Sequence, residues 1–545
     1  MPRTTWLLLS LLVALLPGAA CADPSADLEG RLRAYLAARD PRTRRQHLDA
    51  VLALEPDVRE VAALLPRCWT WPEDGPVGQV LTWERETPDG TPHTVFAYVP
   101  ATYDPSTPWP TLLYLHGDVM REEDGGGQEA IELLVEEAEA RGFLLLAPST
   151  RDGAPWWSAD GRGLALGALR DLKRRYHVDA DHVAVLGRSD GGSACYHLLA
   201  HAPDPFCCFV ACVGNPRVTE VHGGPTWPGN LASRPIYALS GAKDPVYPSR
   251  AVEPHVLALE QAGCRITWVE DADADHDVAS FFARRWPEMH VFWQAHRREA
   301  APAEVTWTTS SAQGARRAWV EIVRLDPETA TVEAAAAPDV EVARQDAARG
   351  AWGLRLEATD DGVGLRVVDV EDGTPAEAGG LLAGDVLLRV GDTELVGSDA
   401  SEVLRRALDQ ARSEGVTFAG RRGNEPLALR VRPRPAPAPP VAAEDARGYG
   451  IPPGTVTARV AGGNRLDVAT DGVAALRLHL LADLVDLDRD LSVVLDGRVV
   501  FSGPAPCRLD HLLAEAWRQG PGAPVVVGYL DLEPGPAAAG PPADR

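Results

Sequence analysis

The chain has 545 residues, more than one hydrophobic core holds, so several domains are expected. It carries 53 basic against 78 acidic side chains, a formal net charge of −25. A surface that negative repels phosphate backbones and anionic lipid, which argues against nucleic-acid binding. At the start, Arg3 precedes an apolar run at 6–16, then Pro17-Gly18 and the small residues at 19–22. The run is too short to span a bilayer but suits the centre of an export signal over 1–22, with Ala20-Cys21-Ala22 as a small-x-small cleavage site. Cys21 also fits a lipoprotein signal, yet Gly18 stands where such signals carry Leu. Export to the periplasm or extracellular space is therefore expected, with a lipid anchor at Cys21 the lesser reading. No later segment is long and apolar enough to cross a membrane.

Residues 23–74 have helical periodicity, with Leu28, Leu32, Tyr35 and Leu36 on one face and Leu48, Val51, Leu52 and Leu54 on another. From 75 to 300 short apolar strands at 80–83, 93–99, 110–115, 143–147, 182–186, 209–213, 235–239 and 265–269 are expected. Helices at 128–141, 163–176, 191–200 and 278–296 are interleaved with them. Strands of this kind imply a mostly parallel sheet covered on both faces. After 301 the alternation stops. Strands are expected at 305–309, 317–325 and 331–335, then at 454–468, 476–481, 491–495 and 498–502. These two β segments, 301–345 and 446–533, are each too small for two stable sheets and read as one sandwich-like domain interrupted by a self-contained module at 346–432. The proline-rich stretch 433–445 reads as a stiff linker and 534–545 as a disordered tail.

The cysteines left after cleavage, Cys68, Cys195, Cys207, Cys208, Cys212, Cys264 and Cys507, lack disulfide-framework or zinc-knuckle spacing and read as buried small hydrophobes. No metal or cofactor is expected. The alternating Asp271, Asp273, Asp275 and Asp277 lack the glycine and terminal glutamate of a calcium loop and read as a solvated acidic loop.

The chemistry concentrates at Gly187-Arg188-Ser189-Asp190-Gly191, between an expected strand and an expected helix. Glycines on either side let the chain turn sharply and hold the Ser189 hydroxyl at a helix N-terminus, the setting of a nucleophile elbow. Asp244 follows the strand 235–239, and His276 follows the strand 265–269, in the order Ser, Asp, His. His276 is then the general base for Ser189, with Asp244 orienting its ring. The backbone amide of Asp190 and that of Asp118 or Val119, after the His116-Gly117 turn, are the expected oxyanion donors. Trp156, Trp157 and Trp227 are candidate walls of an aromatic or acyl pocket.

Taken together, the segment 110–118, Trp156-Trp157, Tyr176-His177-Val178-Asp179, the elbow, the turn 241–248 and His276 resemble secreted α/β-hydrolase serine esterases. The nearest branch is similar to polyhydroxybutyrate-depolymerase-like and feruloyl-esterase-like proteins and to prolyl-oligopeptidase-type hydrolase domains. The resemblance spans about 80–296 and implies ester hydrolysis through an acyl-enzyme, with a peptidase as the alternative. Asp118 stands where relatives often carry a small residue. A second resemblance covers 352–431. Trp352-Gly353-Leu354, the segment 364–370, Gly373-Thr374-Pro375-Ala376-Glu377-Ala378-Gly379 and Leu382-Ala383-Gly384-Asp385-Val386-Leu387 resemble a PDZ domain of the bacterial protease-associated type. That resemblance implies that the amides around Trp352, Gly353 and Leu354 receive a protein C-terminus, and that the peptide adds as a strand beside a helix at 400–411. The expected architecture is an α/β hydrolase with a C-terminal β-sandwich-like domain and an inserted PDZ domain. The competing reading is a non-catalytic hydrolase scaffold that acts through its PDZ domain.

Overall fold

The computed structural model describes residues 24–120, 125–224, 226–311, 316–328, 330, 353–359, 362–370, 374–397, 400, 403, 404, 407, 416–431 and 452–535. The expected signal and Cys21, the strand at 331–335, Trp352, Gly373, most of the helix at 400–411, the linker 433–445 and nearly all of the tail lie outside the described residues.

The chain divides into two compact units, Met1–Thr70 and Trp71–Arg545. In the first, helices α1 (Pro24–Ala37), α2 (Pro41–Leu52) and α3 (Val58–Leu64) follow one another. Two aspartates set the starts. Asp40 accepts from Thr43 N at 2.8 Å and Asp57 from Arg59 N at 2.7 Å, satisfying amides that have no intrahelical partner. Leu28, Leu32, Tyr35, Leu36, Val51 and Val61 are buried.

The second unit begins with the sheet that carries the site. Its strands are β1 (Gln79–Glu86), β2 (Pro92–Val99), β3 (Trp109–Leu115), β4 (Leu144–Pro148), β5 (Val178–Arg188), β6 (Cys208–Cys212), β7 (Ile236–Gly241) and β8 (Ile266–Asp271), in the order β1-β2-β4-β3-β5-β6-β7-β8. β1, β2 and β4 pair antiparallel; from β4 to β8 every pairing is parallel. Helices α4 (Gln128–Arg141), α5 (Ala159–Arg175), α6 (Asp190–His201), α7 (Pro216–Gly223), α8 (Pro228–Leu231), α9 (Ser249–Gln261) and α10 (Phe282–Gln294) connect the strands or follow them. The strands separate two cores. One joins Leu113, Val185 and Phe209 to Leu169 and Leu172 of α5, the other joins Leu112, Leu186 and Val210 to Leu134 of α4 and Trp286 and Trp293 of α10. Strands such as Leu144–Pro148 and Cys208–Cys212 are buried along their whole length, which is why they read as continuous apolar runs rather than alternating ones.

Beyond α10 come β9 (Glu304–Thr309), β10 (Arg316–Arg317) and β11 (Val320–Leu325), then β12 (Leu354–Ala358), β13 (Leu365–Val370), helix α11 (Pro375–Ala378), β14 (Val386–Val390), β15 (Thr393–Glu394), β16 (Val416–Arg422) and β17 (Glu425–Val431). After these follow β18 (Gly454–Ala461), β19 (Arg465–Asp471), β20 (Val473–Leu481), β21 (Leu491–Leu495), β22 (Arg498–Gly503), helix α12 (Leu509–Gln519) and β23 (Val526–Leu532). β9 pairs with β18 and β11 with β20, so strands from both sides of 353–431 share two sheets, β10-β11-β20-β23 and β22-β21-β19-β18-β9. Strands β12 to β17 form a third sheet around a separate core of Leu365, Val367, Leu387 and Phe418. In it, Asp385 is fully buried and takes a two-pronged ion pair from Arg422 at 2.7 and 2.8 Å. Burial pushes the Asp385 carboxyl up, but Arg422 and the Leu382 amide hold it below the usual range.

Three expectations are corrected here. The run 454–468 is a hairpin of two strands turning at 462–464, where Gly463 and Asn464 have φ of 81° and 58°. The segment 317–325 is likewise broken at Ala318, with φ of 49°, between β10 and β11. The single long helix expected at 278–296 is a 3-10 turn at Val278–Ser280 followed by α10, with the break at Phe281.

Candidate active site

Ser189 is the single residue between β5 and α6, with φ 55° and ψ −117°, a conformation that L side chains rarely adopt. The turn is held from both sides. The Ser189 N–H donates to Cys212 O at 3.0 Å and the Ser193 N–H to Ser189 O at 2.9 Å. Its tightness requires two glycines: a Cβ at Gly187 would collide with the Gly191 carbonyl, and one at Gly191 with the Leu115 carbonyl.

The sheet brings the other two residues to the same edge. Asp244 follows β7 and His276 follows β8. His276 Nε2 lies 2.8 Å from Ser189 Oγ, and His276 Nδ1 lies 2.9 Å from Asp244 Oδ2. A carboxylate only accepts, so Nδ1 carries the proton and Nε2 presents its lone pair to the serine hydroxyl. Asp244, only 3% exposed, spends its second oxygen on the N–H groups of Val246 and Tyr247 at 2.8 and 2.9 Å. The Tyr247 ring and the imidazole meet in a T-shaped contact, with centroids 5.6 Å apart and planes at 72°.

The histidine loop is anchored by a residue that sequence patterning grouped with solvated acids. Asp271 is 2% exposed, accepts from the amides of Asp273 and Ala274, and is gripped by Arg284 and Arg285 of α10, each at 2.7 Å. Burial opposes its charge, yet the two guanidiniums hold its carboxyl far below the ordinary range. Asp273 pairs with Lys243, while Asp275 and Asp277 accept from backbone amides of the loop. Arg284 and Arg285 left no mark in any motif; only the fold shows that a helix beginning eleven residues after Asp271 turns back onto it.

On the oxyanion side, His116 is fully buried and locked: the Thr150 N–H donates to its Nε2 at 2.9 Å, so its Nδ1–H donates to Gly117 O at 2.6 Å. A Cβ at Gly117 would lie 2.8 Å from the Ser189 Cβ, so the 116–118 turn runs alongside the nucleophile. Asp118 has φ of 55°, which aspartate tolerates better than most side chains. The expected donors separate at this point. The Val119 N–H donates to the Asp190 carboxylate at 3.1 Å, so this amide is already occupied. The Asp118 N–H and the Asp190 N–H, the latter at the first position of α6, are the remaining donors beside Ser189. Burial raises the Asp190 carboxyl, and the Asp118 charge adds to the rise.

The three candidate tryptophans of the pocket are all buried. Trp156, 1% exposed, donates its indole N–H to His116 O at 2.9 Å and braces the turn from beneath. Trp157 belongs to the same core and stacks on His222. Trp227 is 7% exposed at the entry to α8. A tryptophan pair after a strand reads alike as wall or packing, and both members of this pair pack in the core beside α5. Of the PDZ residues, Gly353 has φ of 69°, and Leu354 opens β12, an edge strand that among the described residues pairs only with β13. The seven described cysteines form no disulfide, and all but Cys507 are buried.

A mostly parallel eight-stranded sheet, with helices on both faces and a serine on a strand-to-helix elbow at its carboxyl edge, is the α/β-hydrolase fold, here joined to a sandwich-like β domain with a PDZ domain inserted in it. Comparison with known proteins adds detail on two regions. Residues 350–432 match the family model of the PDZ domain. The chain is similar to a bifunctional acetylxylan esterase/xylanase of Neocallimastix patriciarum, 25% identical over 201 residues, which are 34% of this chain and 28% of that protein. It is also similar to dipeptidyl-peptidase 5 of Porphyromonas gingivalis, 26% identical over 196 residues, 31% of this chain and 28% of that one. The chain thus spans under a third of the length of these relatives. Among solved structures, Thermogutta terrifontis esterase 2, phosphonylated by cyclosarin, superposes with a TM-score of 0.34 at 15% identity, covering 41% of this chain and 97% of its own.

Proposed function

We propose that the chain is an exported serine hydrolase that cleaves carboxylic esters through Ser189, His276 and Asp244. The observation that carries this reading is the continuous hydrogen-bonded relay from Ser189 Oγ through the imidazole to a buried carboxylate. In the reaction, His276 Nε2 takes the Ser189 proton as Oγ bonds to the acyl carbon, and Asp244 stabilises the imidazolium. The amides of Asp118 and Asp190 receive the negative charge on the former carbonyl oxygen. Collapse breaks the bond to the alcohol oxygen, which leaves with the proton from His276. Water then repeats the sequence on the acyl-enzyme, releasing the acid and restoring Ser189. The PDZ domain, through Gly353, Leu354 and the free edge of β12, takes the C-terminal strand of a partner protein. The export signal at 1–22 puts this chemistry outside the cytoplasm.

A fluorophosphonate probe tests the reading. Labelling that vanishes in Ser189→Ala supports it, and absence of labelling, or labelling unchanged by that substitution, overturns it. The same relay serves a peptidase, the activity named in one of the relatives. Rates on p-nitrophenyl acyl esters against peptide anilides separate the two, and faster turnover of the esters is expected.

A further inference from the structure

A cavity of about 220 Å³ lies between the hydrolase domain and the β-sandwich. That is far above the roughly 10–15 Å³ that holds one water. Its lining is unusual for a chain of net charge −25. α5 contributes Arg170 and Lys173, the segment before β7 contributes Arg234, and the segment after α10 contributes Arg298. From the sandwich side come Arg316 of β10 and Arg518 of α12. The one acidic lining residue, Asp204, is already engaged by Arg317 and the Ala318 N–H.

Three of these six cations share two carboxylates, and three have none within ion-pair distance among the described residues. Arg298 pairs with Asp181 at 2.8 Å, while Arg316 and Arg518 share the single carboxylate of Glu515 at 2.7 and 2.8 Å. Arg234 is 6% exposed and donates to the carbonyls of Phe206, Ser233 and Glu299, which use three of its five N–H groups without supplying a counter-charge. Lys173 is also 6% exposed, and neither it nor Arg170 makes an ion pair or side-chain hydrogen bond among the described residues. Burial, then the neighbouring Arg298, pulls Lys173 down to about 7, with Asp181, Arg170 and Asp179 the other charged groups that face it. Arg170 and Arg234 are lowered as well, again first by burial. Arg170 is half-buried, so Lys173 is the cation here that is both buried and without any partner for its side chain among the described residues, a costly arrangement because buried charges are normally paired.

We propose that this cavity binds a small polyanion, a molecule with two or more phosphate or carboxylate charges, bridged between Arg170, Lys173 and Arg234 of the hydrolase domain and Arg316 and Arg518 of the sandwich. Guanidiniums in this number favour planar, forked recognition of such groups, and Lys173 supplies a compact charge among them. The site is independent of the Ser189 chemistry. Its ligand fastens the two domains together and raises the stability of the whole by mass action.

The test is calorimetric titration of the full chain with inorganic pyrophosphate, and in a second arm with citrate, against acetate at matched ionic strength. Saturable binding with one site for pyrophosphate or citrate, and none for acetate, is expected, and the tighter of the two tells phosphate from carboxylate ligands. Lys173→Met and Arg170→Met should each weaken binding by about tenfold or more. Binding at pH 8 should take up a proton as Lys173 recharges, read as a heat that varies with the ionisation enthalpy of the buffer. No saturable heat for either polyanion, or equal affinity in wild type and both variants, overturns the proposal. Lys173→Met is expected to melt no lower than wild type without anion; if it fails to fold, Arg518→Gln carries the same comparison from the other wall.

Discussion

Replacing Asp244 by asparagine separates a working relay from a merely adjacent set of polar groups. Asp244 Oδ1 accepts two backbone N–H groups, from Val246 and Tyr247, and Oδ2 accepts His276 Nδ1–H. An asparagine keeps its carbonyl oxygen toward the two amides, because the reverse orientation would set its NH2 against two donors. The NH2 group then faces Nδ1, which has to become the acceptor, and the proton moves to Nε2. In that tautomer Nε2 donates toward Ser189 Oγ and no longer takes its proton. The same exchange in a serine protease triad costs about 10⁴ in kcat, or about 5.5 kcal/mol of barrier. Asp244→Asn should therefore lower kcat for p-nitrophenyl acetate by about 10⁴ with little change in KM, while near-isosteric replacement leaves the melting temperature within a few degrees. A loss under about tenfold in folded protein would refute the assignment of Asp244 as the residue that orients the base.

Other predictions follow from the elbow and the cavity. Ser189→Ala and Ser189→Gly both remove the hydroxyl, but only glycine relieves the conformation at φ 55°, so urea unfolding should find the glycine variant more stable by about 1–3 kcal/mol. Gly191→Ala sets a methyl group against the Leu115 carbonyl, with backbone on both sides; soluble protein should fall sharply, or stability drop by about 3 kcal/mol. The folded-state value of Lys173 lies below its unfolded value of 10.5, so its cost is fully present below about pH 7 and relieved as pH rises toward 10.5. The stability advantage of Lys173→Met over wild type, measured by urea unfolding, should therefore be largest near pH 6 and shrink by pH 9. An advantage that grows with pH would contradict the sign.

The parallel sheet was legible because its strands are buried on both faces, so 143–147 and 209–213 are apolar without interruption and lie within a residue of β4 and β6. Helix α7 was not read as an element although Asn215 caps it, and around α9 only helical pattern at His255 was noted, although it carries a buried stripe of Val252, Val256 and Leu259. Pro216 at the first turn of α7 and Pro254 inside α9 are residues that blur a helical pattern, yet the local geometry accommodates both. α12 and β23 were missed for a different reason. The amphipathic face of Leu512 and Leu513 is short, and β23 gains its meaning only from its long-range pairing with β20.

At the site, what survives in sequence is order: Ser189, Asp244 and His276 each follow a strand, and strand ends converge at one edge of a parallel sheet. What does not survive is partnership. Asp190 was expected to contribute only its amide, yet its side chain occupies the Val119 N–H, an interaction between residues on different loops that no motif spacing encodes. The consequence is chemical. With Val119 engaged, the proposed mechanism leaves the negative charge of the tetrahedral intermediate to the amides of Asp118 and Asp190, next to two carboxylates that belong to the same residues. An oxyanion hole flanked by acids is weaker than one flanked by neutral side chains, because each charge raises the energy of the developing oxyanion. Asp190 is the less exposed member of the pair, with its carboxyl already raised, so its protonation relieves more of that repulsion than protonation of the exposed Asp118.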